Sequence, residues 1–331
     1  MMRHLLLYLF LIVSTSANSQ TETYAEKLGY PKGAKVVILH VDDVGMSYDS
    51  NEGAIQTLEH GITNSVSVMM PCGWVSGFMH YLKAHPNVDA GIHLTLTSEW
   101  ENYRWQPLSG NEKVKGLVDN EGAFHHSVEE VVKHATADEV ETEMRAQVAR
   151  FRQFGVEPTH LDSHMGTLFA TPAFLERYLK VGMENKIPVM FPGGHCTLIG
   201  QLRKSKPEEI KQFQAVGQKL WQAGLPVLDD LYPDSYGWET PKNKNIKDKD
   251  LQSFRTKQYM EMLKSLNPGV TMVIAHCTVL SNIYHYISKD SATRKGDFLA
   301  MMDPKLKDFI KKEGIILTTW KELMVRRQKI K

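Results

Sequence analysis

The stretch Val36–Gly45, VVILHVDDVG, decides how the chain is read. A mostly apolar, β-branched run leads straight into two adjacent aspartates, Asp42 and Asp43, and then a glycine. A continuous apolar run of this length, bounded by turn residues, predicts a buried parallel strand. Neighbouring strand residues face opposite ways, so both carboxylates reach one cleft only where the strand end bends. The carboxyl ends of parallel strands are where α/β folds place catalytic and metal-binding groups. Two adjacent carboxylates repel, and a cation bound to one relieves the repulsion and leaves the other free to move protons.

Outward from this strand the chain alternates. Ser50–Gly61 reads as a helix capped by Ser50, and Ser65–Met70 as a second strand. Trp74–Ala84 reads as a helix and Val88–Leu94 as a strand running into GIHLTLT. Ser98–His126 breaks the pattern and holds Trp100, Tyr103 and Trp105, which predicts a long functional loop. Ala137–Phe154 is an amphipathic helix, followed by a short strand ending in THLDSHMG. Thr171-Pro172 opens another helix. Strands are predicted at Ile187–Phe191, Pro226–Leu228, Val270–Ala275 and Ile315–Thr318. Helices are predicted at Pro207–Gly224, at Leu251–Leu266, from Pro304 and from Trp320. About eight strand–helix units predict an α/β fold: a distorted (β/α) barrel, TIM-barrel-like, as a single domain over residues 21–331.

The totals exclude several classes. The 331 residues are 42% hydrophobic and 23% charged with a net charge of +1, an ordinary globular balance. No basic stripe interleaves with aromatics, so nucleic acid is not an expected partner. Arg3 and His4 precede the apolar run Leu5–Val13, and small and polar residues follow, which predicts a signal peptide over residues 1–20. That run is too short to span a bilayer. The expectation is export to the periplasm or the medium, with no membrane-spanning segment. Cys72, Cys196 and Cys277 show no CxxC spacing and are read as small buried hydrophobes. The lysine-rich run Pro241–Asp250 reads as a solvated loop.

Four polar groups follow strand-like runs: Asp42-Asp43, His93, His160-Asp162-His164 and His276. Together they offer two imidazoles and a carboxylate for a divalent ion, with acid/base groups to spare. His160, Asp162 and His164 alternate, so on an extended chain they share one face. Singly, the aspartates read as caps and His93 as a core histidine. His40 is read as facing packing rather than metal.

In order, HVDDVG, GIHLTLT and THLDSHMG resemble the motifs of the YdjC-like (ChbG-type) carbohydrate deacetylases, relatives of the polysaccharide deacetylases. The resemblance implies a distorted β/α barrel and a divalent metal, zinc or magnesium first among the candidates, held by Asp43, His93 and His164. It implies Asp42 as catalytic base and His276, in VIAHC, as general acid or oxyanion partner. Arg294 resembles a late arginine of the family, and with His160 and Asp162 it is expected at the substrate. The implied reaction is removal of acetyl groups from an acetylated amino-sugar oligosaccharide. Two departures, LDSHMGTL and VMFPGG, bear on substrate recognition rather than on the ligand set. The alternatives are a metal-dependent esterase or phosphodiesterase on the same site, and a carbohydrate-binding protein without catalysis.

Overall fold

The computed structural model describes residues 22–241 and 246–330. The expected signal peptide, and 242–245 of the lysine-rich run, lie outside the described residues. The sheet is all-parallel. Its strands are β1 (Lys35–Val44), β2 (Ser65–Val68), β3 (Ala90–Leu94), β4 (Leu161–Ser163), β5 (Asp230–Tyr232), β6 (Gly269–Ala275) and β7 (Ile316–Leu317). The order is β4-β3-β2-β1-β6-β5, with β7 paired to the first half of β1.

The sheet curls, and two isolated parallel bridges, Leu161↔Val189 and Pro192↔Leu228, join β4 to the chain entering β5. The result is the expected distorted barrel. The predicted strand Ile187–Phe191 is reduced to these bridges because Pro188 and Pro192 lack the N–H that a ladder needs. The strand expected at Pro226–Leu228 begins four residues later, at Asp230.

Strand parity sorts the side chains. Val36 and Ile38 of β1 and Val270 and Met272 of β6 face inward and share a buried cluster with Trp320. Two residues further along β1 the same face carries His40, and two further Asp42. The barrel interior therefore changes from apolar at its amino-terminal end to polar at the carboxyl ends of the strands. The opposite face of β1, with Val37, Leu39 and Val41, packs into the larger core beneath the helices.

The first helix after β1 is Tyr48–Glu59, capped by Ser47, whose Oγ accepts from the Ser50 backbone N–H. Ser50 itself lies within the helix, so the expected cap shifts by three residues. Helices at Val128–His134, Thr197–Arg203 and Ser291–Met301 were not anticipated by the periodicity. The three cysteines are buried and free, as expected. No helix among the described residues is long and apolar enough to cross a membrane.

Candidate metal centre and active site

Five of the strand-end side chains, Asp42, Asp43, His93, His164 and His276, open into one cavity of about 790 Å³. Parity alone would send Asp43 away from Asp42. The chain avoids this by taking Asp43 into the left-handed region, at φ 64°. Such a conformation costs a non-glycine residue about 1–3 kcal/mol and clusters at functional sites. Gly45 follows at φ 86°, and its N–H donates to Asn51 Oδ1 at 2.7 Å. The β1–β2 register shifts between Val41 and Val44, so the bend anticipated from sequence is a local break in the ladder.

Bent in this way, Asp43 Oδ1 lies 3.4 Å from His93 Nε2 and 3.3 Å from His164 Nδ1. The two ring nitrogens are 3.2 Å apart. Donor atoms about 2.1 Å from a tetrahedral cation would be about 3.4 Å from one another, so the triangle has the size of a metal site. Asp43 Oδ1 is buried and has no hydrogen-bond partner. Asp43 Oδ2 is held by Arg294 Nη1 at 2.7 Å, which leaves Oδ1 as the free ligand atom.

The imidazoles are oriented to match. His93 Nδ1 lies 2.6 Å from Asp162 Oδ1, so it carries the proton and leaves the Nε2 lone pair facing the centre. His164 Nε2 lies 3.1 Å from Glu99 Oε2, which leaves its Nδ1 facing the same point. Burial alone would lower the pKa of both rings. The surrounding carboxylates reverse that: His93 is raised well above the ordinary value and His164 to about 9. The pocket is therefore an electrostatic trap for positive charge, which a proton or a cation can fill.

Among the described residues, two other sets of three potential ligands lie close together: His40-His160-Asp162 and Asp42-His93-Asp162. The first is fully enclosed, with His40 and His160 at 0% exposure. The second would use Asp162, already bonded to the protonated side of His93. The set Asp43-His93-His164 alone lines the cavity with all three members.

Asp42 and His276 stand beside it. Asp42 Oδ2 is 3.8 Å from His93 Nε2 and 4.0 Å from His276 Nε2. Asp42 Oδ1 accepts from Ser67 Oγ at 3.4 Å and lies 3.2 Å from His40 Nε2. His276 follows β6 and is fixed from behind, its backbone N–H donating to Asp297 Oδ2 at 2.9 Å. Burial and the Arg294 charge lower its pKa. Arg294 lies between the rings of Trp100 and Tyr236, at 5.7 and 5.2 Å.

Two expected substrate contacts are corrected. His160 and Asp162 are buried and do not line the cavity. His160 stacks on Trp320 at 5.3 Å, one layer below the site. Gly91 makes room for it, since a Cβ there would lie 2.5 Å from His160 Cε1. Asp162 is a support: besides His93, its Oδ2 lies 3.0 Å from His40 Nε2, a charge contact rather than a directed hydrogen bond. His40, read from sequence as packing, is a buried cationic bridge between Asp42 and Asp162. Burial opposes its charge, but these two carboxylates raise its pKa to about 9. Arg294 does line the cavity, with its charge paired to Asp43.

Sequence reasoning missed Glu99 and Tyr236. Neither belongs to a motif: Glu99 sits in irregular chain and Tyr236 in a single 3-10 turn, Asp234–Gly237, too short for periodicity to give a direction. The aromatic stretch Ser98–His126 folds down onto the site. Tyr103 Oη donates to the Met46 carbonyl at 2.7 Å, Trp105 is buried, and Glu99 and Trp100 reach the cavity.

Comparison with known proteins agrees with this geometry. Residues 36–312 match the family described as YdjC-like protein. A carbohydrate deacetylase of Thermus thermophilus is 37% identical over 282 residues, spanning 85% of this chain and 91% of that protein. A chitooligosaccharide deacetylase of Yersinia enterocolitica is 31% identical over 133 residues, 39% of this chain and 49% of its own. A solved structure from Enterococcus faecalis V583, of a candidate cellobiose-phosphate cleavage protein, superposes with a TM-score of 0.69. It is 21% identical, covers 88% of this chain and 99% of its own, and shares the fold. With most of its length matched, the chain belongs to the YdjC-like family.

Proposed function

We propose that the chain is a metal-dependent hydrolase that removes acetyl groups from acetylated amino sugars. The observation that carries this reading is the triangle of Asp43 Oδ1, His93 Nε2 and His164 Nδ1, with Asp42 and His276 beside it in one cavity. A divalent ion held by those three residues would supply Lewis acidity, polarising a carbonyl and lowering the pKa of water from about 16 to near 7. Zinc suits two imidazoles and a carboxylate, and magnesium is the second candidate.

The remaining steps belong to the chain's own side chains. Asp42 Oδ2 takes a proton from water as the oxygen adds to the acetamide carbon. His40 and Ser67 hold Asp42 in place from the far side. The C–N bond then breaks, and His276 Nε2 gives a proton to the departing nitrogen. The lowered pKa of His276 makes its protonated form a ready acid, and Asp42 Oδ2, 4.0 Å away, is a proton source for it. Acetate and a free amine result. A phosphodiesterase reading is disfavoured because Arg294, the nearest buried guanidinium, is paired with Asp43 rather than free to clamp phosphate.

Acetate release from an N-acetylated amino-sugar oligosaccharide, measured on zinc- or magnesium-loaded protein, tests the proposal. Turnover that disappears with chelator and with Asp42→Asn supports it. Full activity in Asp42→Asn contradicts the assigned base. Sugar binding without any turnover favours the non-catalytic alternative. Residues 1–20 support export as part of the same proposal, and amino-terminal sequencing of the secreted protein tests that part.

A further inference from the structure

The cavity has two unlike halves. One is the polar cluster already described. The other is a wall formed by Phe169, Met190, Phe191, Ile199, Phe213 and Leu231. Its aromatic members interlock: Phe169 stacks on Phe191 at 6.1 Å, and Phe213 meets Phe191 edge-on at 5.7 Å. The wall runs directly into the catalytic groups. Phe169 ends the short turn that begins at His164, and Ile274, also at the cavity, precedes His276 by two residues on β6.

Side-chain hydrogen-bonding groups are scarce on this half. Arg203 and Asp290 border the cavity but are exposed. Ser163 Oγ accepts from the Leu168 N–H at 3.0 Å. A sugar hydroxyl pressed against such a wall loses water and gains no partner, a loss of roughly five- to hundredfold in affinity for each group. A hydrocarbon group placed there gains by the same burial.

We propose that the substrate of this site carries a hydrocarbon group, an alkyl chain or ring, beside the amide-bearing sugar, and that this wall receives it. The inference rests on the deacetylase reading for the identity of the sugar. Two attachment points offer the same chemistry: a longer N-acyl group and an apolar aglycone.

Calorimetry on the metal-free full-length protein tests the inference without requiring turnover. The aglycone arm uses methyl, butyl, hexyl and octyl glycosides of N-acetylglucosamine. The acyl arm uses N-acetyl, N-butanoyl and N-hexanoyl glucosamine. In one arm, affinity is expected to rise by up to about fourfold per methylene, with a negative heat-capacity change, and the arm that responds identifies the attachment point. Phe213→Ser, on a half-buried helix position, should lower the ratio of long-chain to short-chain affinity. Affinity that is flat or falling in both arms overturns the inference, as does affinity that climbs only with added sugar units. The metal-loaded protein, assayed on the same compounds, separates the two claims. Acetate release with no preference for hydrocarbon keeps the deacetylase reading and sinks this one. Chain-length-dependent binding without hydrolysis keeps the apolar subsite and sinks the deacetylase reading.

Discussion

Asp162 is buried behind the centre, yet its removal should be felt there. Its Oδ1 is 2.6 Å from His93 Nδ1, and its Oδ2 is 3.0 Å from His40 Nε2. Asp162→Asn keeps an acceptor for the His93 proton and removes only the charge. The ring keeps its tautomer, but its outward nitrogen becomes a poorer donor. Partners of this kind are typically worth 10- to 100-fold in metal affinity, about 1.4–2.7 kcal/mol. Asp162→Leu removes the acceptor as well. It leaves His93 Nδ1–H unpaired and takes from His40 one of its two carboxylates, Asp42 remaining, and breaking a buried pair by removing one partner costs about 3–5 kcal/mol of stability. The assay is zinc binding by chelator competition, with a thermal melt to confirm folding. An Asn variant that folds and binds zinc as tightly as the wild-type chain would refute the argument that this carboxylate tunes the ligand.

Further expectations follow from the same contacts. Asp42→Asn should lower kcat at least a hundredfold and leave zinc stoichiometry unchanged, since Asp42 lies outside the ligand triangle; a parallel loss of metal would place it inside. Glu99→Gln should weaken zinc binding through His164 by a smaller factor than Asp162→Leu, because Glu99 is partly exposed; equal or larger weakening would reverse that ranking. Gly91→Ala forces a Cβ to 2.5 Å from His160 Cε1 and should cost about 1–3 kcal/mol, read as a lower Tm. In the metal-free protein His40 and His164 are each raised from 6.5 to about 9, because nearby carboxylates outweigh burial. A group raised on folding stabilises fully below its unfolded value and loses that contribution as pH climbs through its folded value. The Tm of chelator-treated protein should therefore fall from pH 6.5 to about 9, and a flat or rising Tm would contradict these ion pairs.

What could be read from the sequence divides along physical lines. Strands buried on both faces declare themselves as apolar runs, and Lys35–Val44 and Gly269–Ala275 fall where Val36–Gly45 and Val270–Ala275 predicted them. The segment around Val189 was placed correctly along the chain, but its prolines leave too few donors for a ladder. At the site, parity identified the face on which His160 and Asp162 lie but not their depth. Each residue of strand advances about 3.3 Å, so two residues decide whether a side chain meets the cavity or supports it from beneath. His164, beyond the strand end, reaches the cavity, whereas His160 lies under Trp320. Glu99 comes from irregular chain and Tyr236 from a four-residue 3-10 turn, where there is no period long enough to read. The left-handed turn at Asp43 was foreshadowed only by the glycine two residues on, and it is this turn that brings both aspartates to one cleft.

The most direct test is anomalous diffraction at the zinc edge from crystals of the zinc-loaded protein. One peak bonded to Asp43 Oδ1, His93 Nε2 and His164 Nδ1, and lost in His164→Ala, is the predicted result. A peak held by other residues, or no peak at this triangle in zinc-saturated protein, would contradict the account.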